Sequence, residues 1–485
     1  MKRKIFFIGV FVGLIAVNLA ISFIPLRLDL SKGGIYSLSE ATKKILKKAD
    51  KKITIKLFAS SNLPTRLLPL KRDVIDLLKE YERVGRGKVE VKIYDPAKDD
   101  KAKEEAQKEG VPQLQFSQLE QNQFAVTNVY FGLVIAYNDK KEMIAQLSDL
   151  AGLEYNITSK IYRLTKKELP KVLILGTQTI FDPRQDEIYT FKQVIGDQFN
   201  IDTSLEIGNK DLRNYAAIVI LDNQQKEYSN EDKVKLDNYL INKGKIIFFV
   251  DGIWVNDNFF TISANHGLFD FIKSTGIEIN KNLVLSTSAE LVNFGNQAVQ
   301  FITAYPFWLK TNVFNDRFSY FNNIDYLMFP WVSSLTIKSN KDWQVELLVK
   351  STPRSWEQKE ASGGAGIVLN PQAIPQPKPQ DLKQFLLVAQ AVNKNGAMVI
   401  VIPSSRFIKE QFLNQQTGNL DFVLNILNEA AAGGALSGIQ RRAVSFYLLP
   451  PLSEQQKDLA KYLNIFLLPL LLAVFGGIRL AKRRG

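Results

Sequence analysis

The chain has 485 residues, with 62 lysines and arginines against 49 aspartates and glutamates, one histidine and no cysteine. Disulfides and thiol catalysis are excluded, so a body of this size must be held by its hydrophobic cores. The formal charge of +13 does not by itself indicate nucleic acid: seven of those charges are Lys2, Arg3, Lys4, Arg479, Lys482, Arg483 and Arg484 at the two ends, and no basic stretch is interleaved with aromatics.

Ile5 to Ile24 is an uncharged run in which fourteen residues are Ile, Leu, Val or Phe. About 20 residues at the helical rise span about 30 Å, the hydrocarbon thickness of a bilayer, so residues 5–24 predict a retained transmembrane helix, with a cleaved signal peptide as the alternative. Residues 28–168 follow as a first domain. Ser37-Leu-Ser-Glu40 has the spacing of a capping box. Beyond it, Ile53 to Ala59 and Val89 to Tyr94 read as strands, Leu67 to Val84 and Lys98 to Glu109 as helices, and Asn128 to Gln146 as a hairpin closed by a helix from Leu153. This β-α-β-α-β-β-α order resembles the thioredoxin fold. Ser60-Ser-Asn-Leu63 stands where that fold carries its redox cysteines, so redox chemistry is excluded.

Residues 169–452 predict a second domain of alternating strands and helices. Its strands at Val172–Leu175, Ala216–Leu221 and Lys245–Val250 are continuously apolar, which argues for a parallel sheet covered on both faces. Gly176, Asp222 and Asp251 would lie at its carboxyl edge, either as ligand groups or as ordinary turn formers at strand ends. Phe301 to Trp331 holds eleven aromatics in 31 residues, including Trp308 and Trp331, and reads as core packing or as a ligand or partner surface. Arg354 and Trp356 follow in Pro353-Arg-Ser-Trp356, and Asn395-Gly396 predicts a hairpin. Residues 453–480 predict a juxtamembrane helix and a second span, Leu463 to Ile478, ahead of the basic tail. Both termini are thereby expected in the cytoplasm and the bulk of the chain outside the inner membrane.

Catalytic constellations are not apparent in the sequence. His266 is the only histidine and reads as a surface or capping residue, no cluster of carboxylates has metal-ligand spacing, and Gly363-Gly-Ala-Gly366 lacks the lysine of a phosphate loop. No catalytic, metal or cofactor-binding residue and no cofactor are expected.

The order of motifs between the two apolar ends resembles the auxiliary, substrate-binding-like component of ABC transport systems associated with gliding motility. The matching pieces are Arg27-x-Asp29 with Tyr36-Ser-Leu-Ser39, Pro170-Lys-Val, Gly244-Lys-Ile-Ile-Phe-Phe-Val-Asp251, Pro353-Arg-Ser-Trp356 and Gly418-Asn-Leu-Asp421. The sequence departs from that pattern at Gly176-Thr-Gln-Thr179 and at Lys243. The resemblance implies a thioredoxin-like domain followed by one similar to the flavodoxin-like class I glutamine amidotransferase fold. It also implies a non-enzymatic accessory role beside a separate permease and a separate ATPase. The alternatives are an anchored receptor for a sugar or other envelope solute, or an enzyme of unfamiliar type.

Overall fold

The computed structural model describes residues 37–434 except 121–122, 149, 151, 181, 225, 257, 295–300, 323, 360–366 and 414–416, together with Leu436, Ile439, Asp458, Lys461, Tyr462 and Phe466. In the first compact unit, Met1–Arg442, two cores are built. The first lobe runs α1 (Glu40–Lys48), β1 (Ile53–Ala59), α2 (Leu68–Gly85), β2 (Val89–Tyr94), α3 (Asp100–Lys108), β3 (Leu114–Glu120), β4 (Gln123–Val129), β5 (Phe131–Tyr137), β6 (Lys140–Ile144) and α4 (Leu153–Thr165). Its sheet has the order β2-β1-β5-β6, with β1 parallel to β2 and the other pairs antiparallel. The β3–β4 hairpin is an addition to the expected order, because its Gln-rich sequence lacks the β-branched density by which strands are read. Buried polar groups tie the helices together. Glu154 of α4 accepts from the Ser39 N–H and the Thr42 hydroxyl, both at 2.8 Å, at the start of α1. At the position of the absent redox pair, Ser60 accepts from the Tyr130 N–H at 2.9 Å, and Lys71 caps the Ala59 and Ser60 carbonyls.

The second lobe begins with β7 (Lys171–Leu175), α5 (Tyr189–Gly196), β8 (Asn200–Ser204), β9 (Ala217–Leu221), α6 (Asn230–Ile241) and β10 (Lys245–Phe249). It continues through β11 (Ile253–Val255), β12 (Thr261–Ser263), α7 (Phe269–Ser274), β13 (Ile277–Ile279), β14 (Asn282–Ser286), β15 (Ala289–Asn293), β16 (Ile302–Thr311), β17 (Val313–Phe314), β18 (Leu327–Pro330), β19 (Leu335–Ile337), β20 (Trp343–Lys350), β21 (Ser355–Lys359), β22 (Leu386–Asn393), β23 (Met398–Ile402) and α8 (Asn419–Ala432). Strands β8-β7-β9-β10-β23 are parallel. Side chains alternate across them: Val172, Ile174, Val219 and Phe249 pack under α5 and α8, while Leu173, Ile218, Ile220 and Phe248 pack under α6 and α7. At about 1.5–3 kcal/mol for each buried large apolar side chain, this two-faced layer is a main source of stability.

Two expectations are corrected here. The sheet is mixed rather than parallel: β22, which leads into β23 through the expected Asn395-Gly396 hairpin, lies antiparallel beside it, and β13, β17, β19 and β20 extend that half. Flanking transmembrane helices are not supported, since no helix among the described residues is long and apolar enough to cross a membrane. The longest, α2, carries Lys71, Arg72, Asp73, Asp76, Lys79, Glu80, Glu82 and Arg83, more charge than a span tolerates. The runs Ile5–Ile24 and Leu463–Ile478, which raised the expectation, lie outside the described residues. The described fold is mixed α/β without flanking spans, and the inner-membrane placement resting on them is withdrawn. The Gly363–Gly366 stretch also falls outside the described residues.

After α8 the chain returns to the first lobe, where Leu436 and Ile439 join its core. In the second compact unit, Ala443–Gly485, Tyr462 and Phe466 are helical and their rings stack at 6.2 Å.

Candidate functional site

The carboxyl ends of β9, β10 and β23 converge. Asp222 follows β9 and Asp251 lies just beyond β10, both buried. The Asp222 carboxylate accepts from the Gln224 N–H at 3.0 Å, the Asp251 N–H at 3.3 Å and the Trp254 indole at 2.7 Å. Asp251 accepts from the N–H and hydroxyl of Ser405, just past β23, at 2.7 and 2.6 Å. Burial pushes both acids above the ordinary carboxylate range. Asp251 rises to about 6 through burial and then the Asp222 charge, with Arg406 and Ser405 drawing it back.

Of the two roles expected of His266, surface or capping, it takes the second, and it is buried. Its Nδ1 accepts from the Leu268 N–H at 3.0 Å, capping the turn into α7, so Nε2 carries the proton and donates to the Asp251 carbonyl at 3.1 Å. Burial holds it down to about 4 and therefore neutral. Both ring nitrogens are engaged, which removes the imidazole as a ready proton carrier.

Over these acids lies the β11–β12 hairpin. Arg406 donates to the Val255 carbonyl and stands 5.2 Å over the Trp331 ring. Trp331 has φ +44°, a left-handed conformation costly for a bulky residue. Around it Trp308 lies 5.5 Å away, and Phe412 lies 5.5 Å from Trp331 and 5.2 Å from Trp308, all three pairs close to perpendicular. Trp356, paired with Leu285 between β14 and β21, belongs to the same cluster. The indole N–H groups of Trp308, Trp331 and Trp356 are buried without a hydrogen-bond partner among the described residues.

Of the residues singled out in the sequence, Asp222 and Asp251 are thus brought together, as are Trp308, Trp331 and Trp356. Arg354 is separate: its side chain is exposed, and its carbonyl accepts from Thr287. Gly176 stands at the same strand-end edge, its carbonyl accepting from the Asn223 amide at 3.1 Å, and beside it is a cavity of about 480 Å³ lined by Gln178, Thr179, Thr203 and Leu205. It is a glycine because φ is +90° and a Cβ would stand 1.9 Å from the Leu221 carbonyl. Sequence reasoning missed Trp254, Ser405 and Arg406. The available signal was position, since Ser405 stands three residues past β23 and Asp251 two past β10.

A family model described as a domain of unknown function matches residues 32–136, and one described as an ABC-type uncharacterized transport system matches residues 159–426. An uncharacterized protein of Borreliella burgdorferi is 25% identical over 488 residues, covering 96% of this chain and 95% of that protein. Among solved structures, the mmIFT52 N-terminal domain matches at 11% identity and TM-score 0.38, covering 54% of this chain and 97% of that one. A ThuA-like protein from Bacteroides uniformis matches at 19% and 0.34, covering 56% and 97%; at such scores neither carries a functional argument. The expected link to gliding motility finds no support in these matches and is replaced by the broader transport assignment. With a family match across more than half its length, the chain belongs to the ABC-type uncharacterized transport system family.

Proposed function

We propose that this protein is a non-catalytic accessory subunit that works by contact with a separate permease and a separate ATPase. In this reading residues 28–168 and 169–452 act as two domains. The observation that carries it is a set of exposed apolar side chains on the β11–β12 hairpin, which covers the acids, and on the β15–β16 hairpin joined to it by a ring contact. Phe259, Phe260 and Ile262 at β11–β12 are 45%, 67% and 51% exposed, and Leu291 and Ile302 at β15–β16 are 66% and 59% exposed. Phe259 joins the two hairpins through Phe294 at 6.4 Å and reaches the buried cluster through Trp331 at 6.1 Å. Large exposed apolar patches mark partner surfaces. The acids and imidazole beneath are engaged in structural hydrogen bonds, which favours a docking role over bond-making.

The test is capture of the tagged full-length protein under conditions that preserve transporter complexes. Permease and ATPase subunits are expected with the native chain. A Phe260→Asp/Ile302→Asp variant should lose them with its melting temperature unchanged. Recovery of the native chain alone, or of the variant with its partners, overturns the reading.

A second reading, a receptor for a sugar or other solute, draws on the three unpartnered indoles, since ligand hydroxyls could accept from them. A saccharide panel that leaves the melting temperature unmoved would remove it.

A further inference from the structure

The opposite, amino edge of the parallel strands holds two adjoining cavities, about 410 and about 550 Å³, which meet at Glu168 and Leu169 in the segment joining the lobes. The walls come from the start of β6 and the end of α4 on one side, and from the starts of β7, β8 and β9 on the other. Lys140, Lys166, Lys167 and Lys171 line this groove and are all exposed. Among the described residues none of the four forms an ion pair, and Lys166 instead lies 5.2 Å over the Tyr162 ring. The two arginines of the groove are already taken. Arg163 is 3.2 Å from Glu142 and 3.9 Å from Asp197, and Arg213 is 2.9 Å from Asp211.

We propose that this groove docks an acidic, extended segment of a partner protein. Four like charges along one trough repel each other, and a chain bearing spaced carboxylates would relieve that repulsion. Lysine point charges attract carboxylates and phosphates alike, and with both guanidinium forks occupied it is the acids within the groove that decide between them. Glu142 and Glu168 sit among the lysines and would repel a uniformly charged phosphodiester, but a peptide can place neutral residues opposite them. Single-stranded nucleic acid would also need aromatic faces for stacking. Here the Tyr162 ring lies under Lys166 and the Tyr215 hydroxyl is bonded to Asp202. Because both lobes contribute walls, an occupant would bridge them. This inference names a surface remote from the hairpin patch and does not rest on the transport reading.

The test uses the full-length protein and a fluorescein-labelled peptide of alternating Glu and Gly, followed by anisotropy. Binding is expected to weaken about tenfold when ionic strength rises from about 0.05 to about 0.3 M. It should also weaken about tenfold in a Lys167→Glu/Lys171→Glu variant, the loss of about 1.4 kcal/mol of attraction. A Lys98→Glu/Lys101→Glu variant, which alters charge on a different face, should bind like the native chain. Thermal unfolding of both variants at the native temperature keeps the comparison valid, and Lys140→Glu serves in place of a variant that unfolds. The proposal is overturned if the peptide does not bind, if the groove variant binds it as well as the native chain, or if oligothymidylate binds as tightly with the same dependence on Lys167 and Lys171.

Discussion

At the carboxyl ends of β9 and β10 two acids are buried and bonded to donors from the protein itself, whereas at the amino ends of β7, β8 and β9 an open groove carries four lysines that form no ion pair among the described residues. The strands belong to one parallel run of the sheet and share β9; what differs is the chain leading into and out of them. β10 runs directly into the β11–β12 hairpin, whose Trp254 and Val255 are drawn onto Asp222 and Arg406. β7 is instead preceded by a short exposed joint containing Lys166, Lys167 and Glu168. The tendency of α/β sheets to bind ligands at the carboxyl edge is therefore a statement about uncovered strand ends. Over the central strands of this sheet that edge has been covered from within.

The contrast is open to test, and its largest expected effect is at Gly176. Gly176→Ala forces a Cβ against the Leu221 carbonyl at a left-handed φ and should lower stability by about 3–5 kcal/mol in urea unfolding. Gly208→Ala, with φ +52° but nothing within 4 Å, should cost only about 1 kcal/mol. Similar values for the two would mean that the covered edge relaxes freely. Asp222→Ala comes next: it strands the Trp254 indole and two backbone N–H groups, with an expected loss of about 2–4 kcal/mol. Lys171→Ala on the open edge should stay within about 0.5 kcal/mol. Equal losses would erase the distinction between the two ends.

The smallest effect lies in pH dependence. Asp251 titrates near 6 when folded against 3.8 ordinarily, so between those values the folded state keeps a proton that the unfolded chain has released. Its contribution makes stability fall as pH rises through that window. His266 acts oppositely: near 4 when folded against 6.5 ordinarily, it is charged in the unfolded chain first, and stability rises with pH from about 4 to about 6.5. The two slopes oppose each other in the native chain. Melting temperatures recorded between pH 4 and 6 should fall with pH in His266→Gln and rise with pH in Asp251→Asn. Parallel profiles in the two variants would defeat this account.

Much of this was legible because burial on both faces leaves a plain mark. Ala217–Leu221 and Lys245–Phe249 are short apolar runs that end in turn residues, and that pattern alone puts Asp222 and Asp251 at strand ends. The Asn395-Gly396 turn was equally clear, with Gly396 at φ +94°. The rest of the antiparallel half was not, since β13, β17 and β19 are only two or three residues long, too short to leave a pattern. The hairpin that covers the acids was missed because β11 and β12 have only three residues each, too few for alternation to register. The capping role of His266 was within the expected pair of roles, but its burial was not legible because it depends on two hydrogen bonds that no local pattern encodes. The groove was hidden for a different reason: its lysines come from β6, the joint and β7, and only folding lines them up.

The return of Leu436 and Ile439 to the first core means that the polypeptide crosses between the lobes twice, once near residue 168 and again beyond α8. A single crossing would leave one lobe free to swivel on a pivot. Two strands of connection act like a door hung on a pair of pins, so that any relative movement is confined to rotation about the line joining them. A chain cut short after α8 would also leave an uncovered apolar hollow in the earlier lobe, coupling the folding of the N-terminal part to synthesis of residues almost three hundred positions downstream.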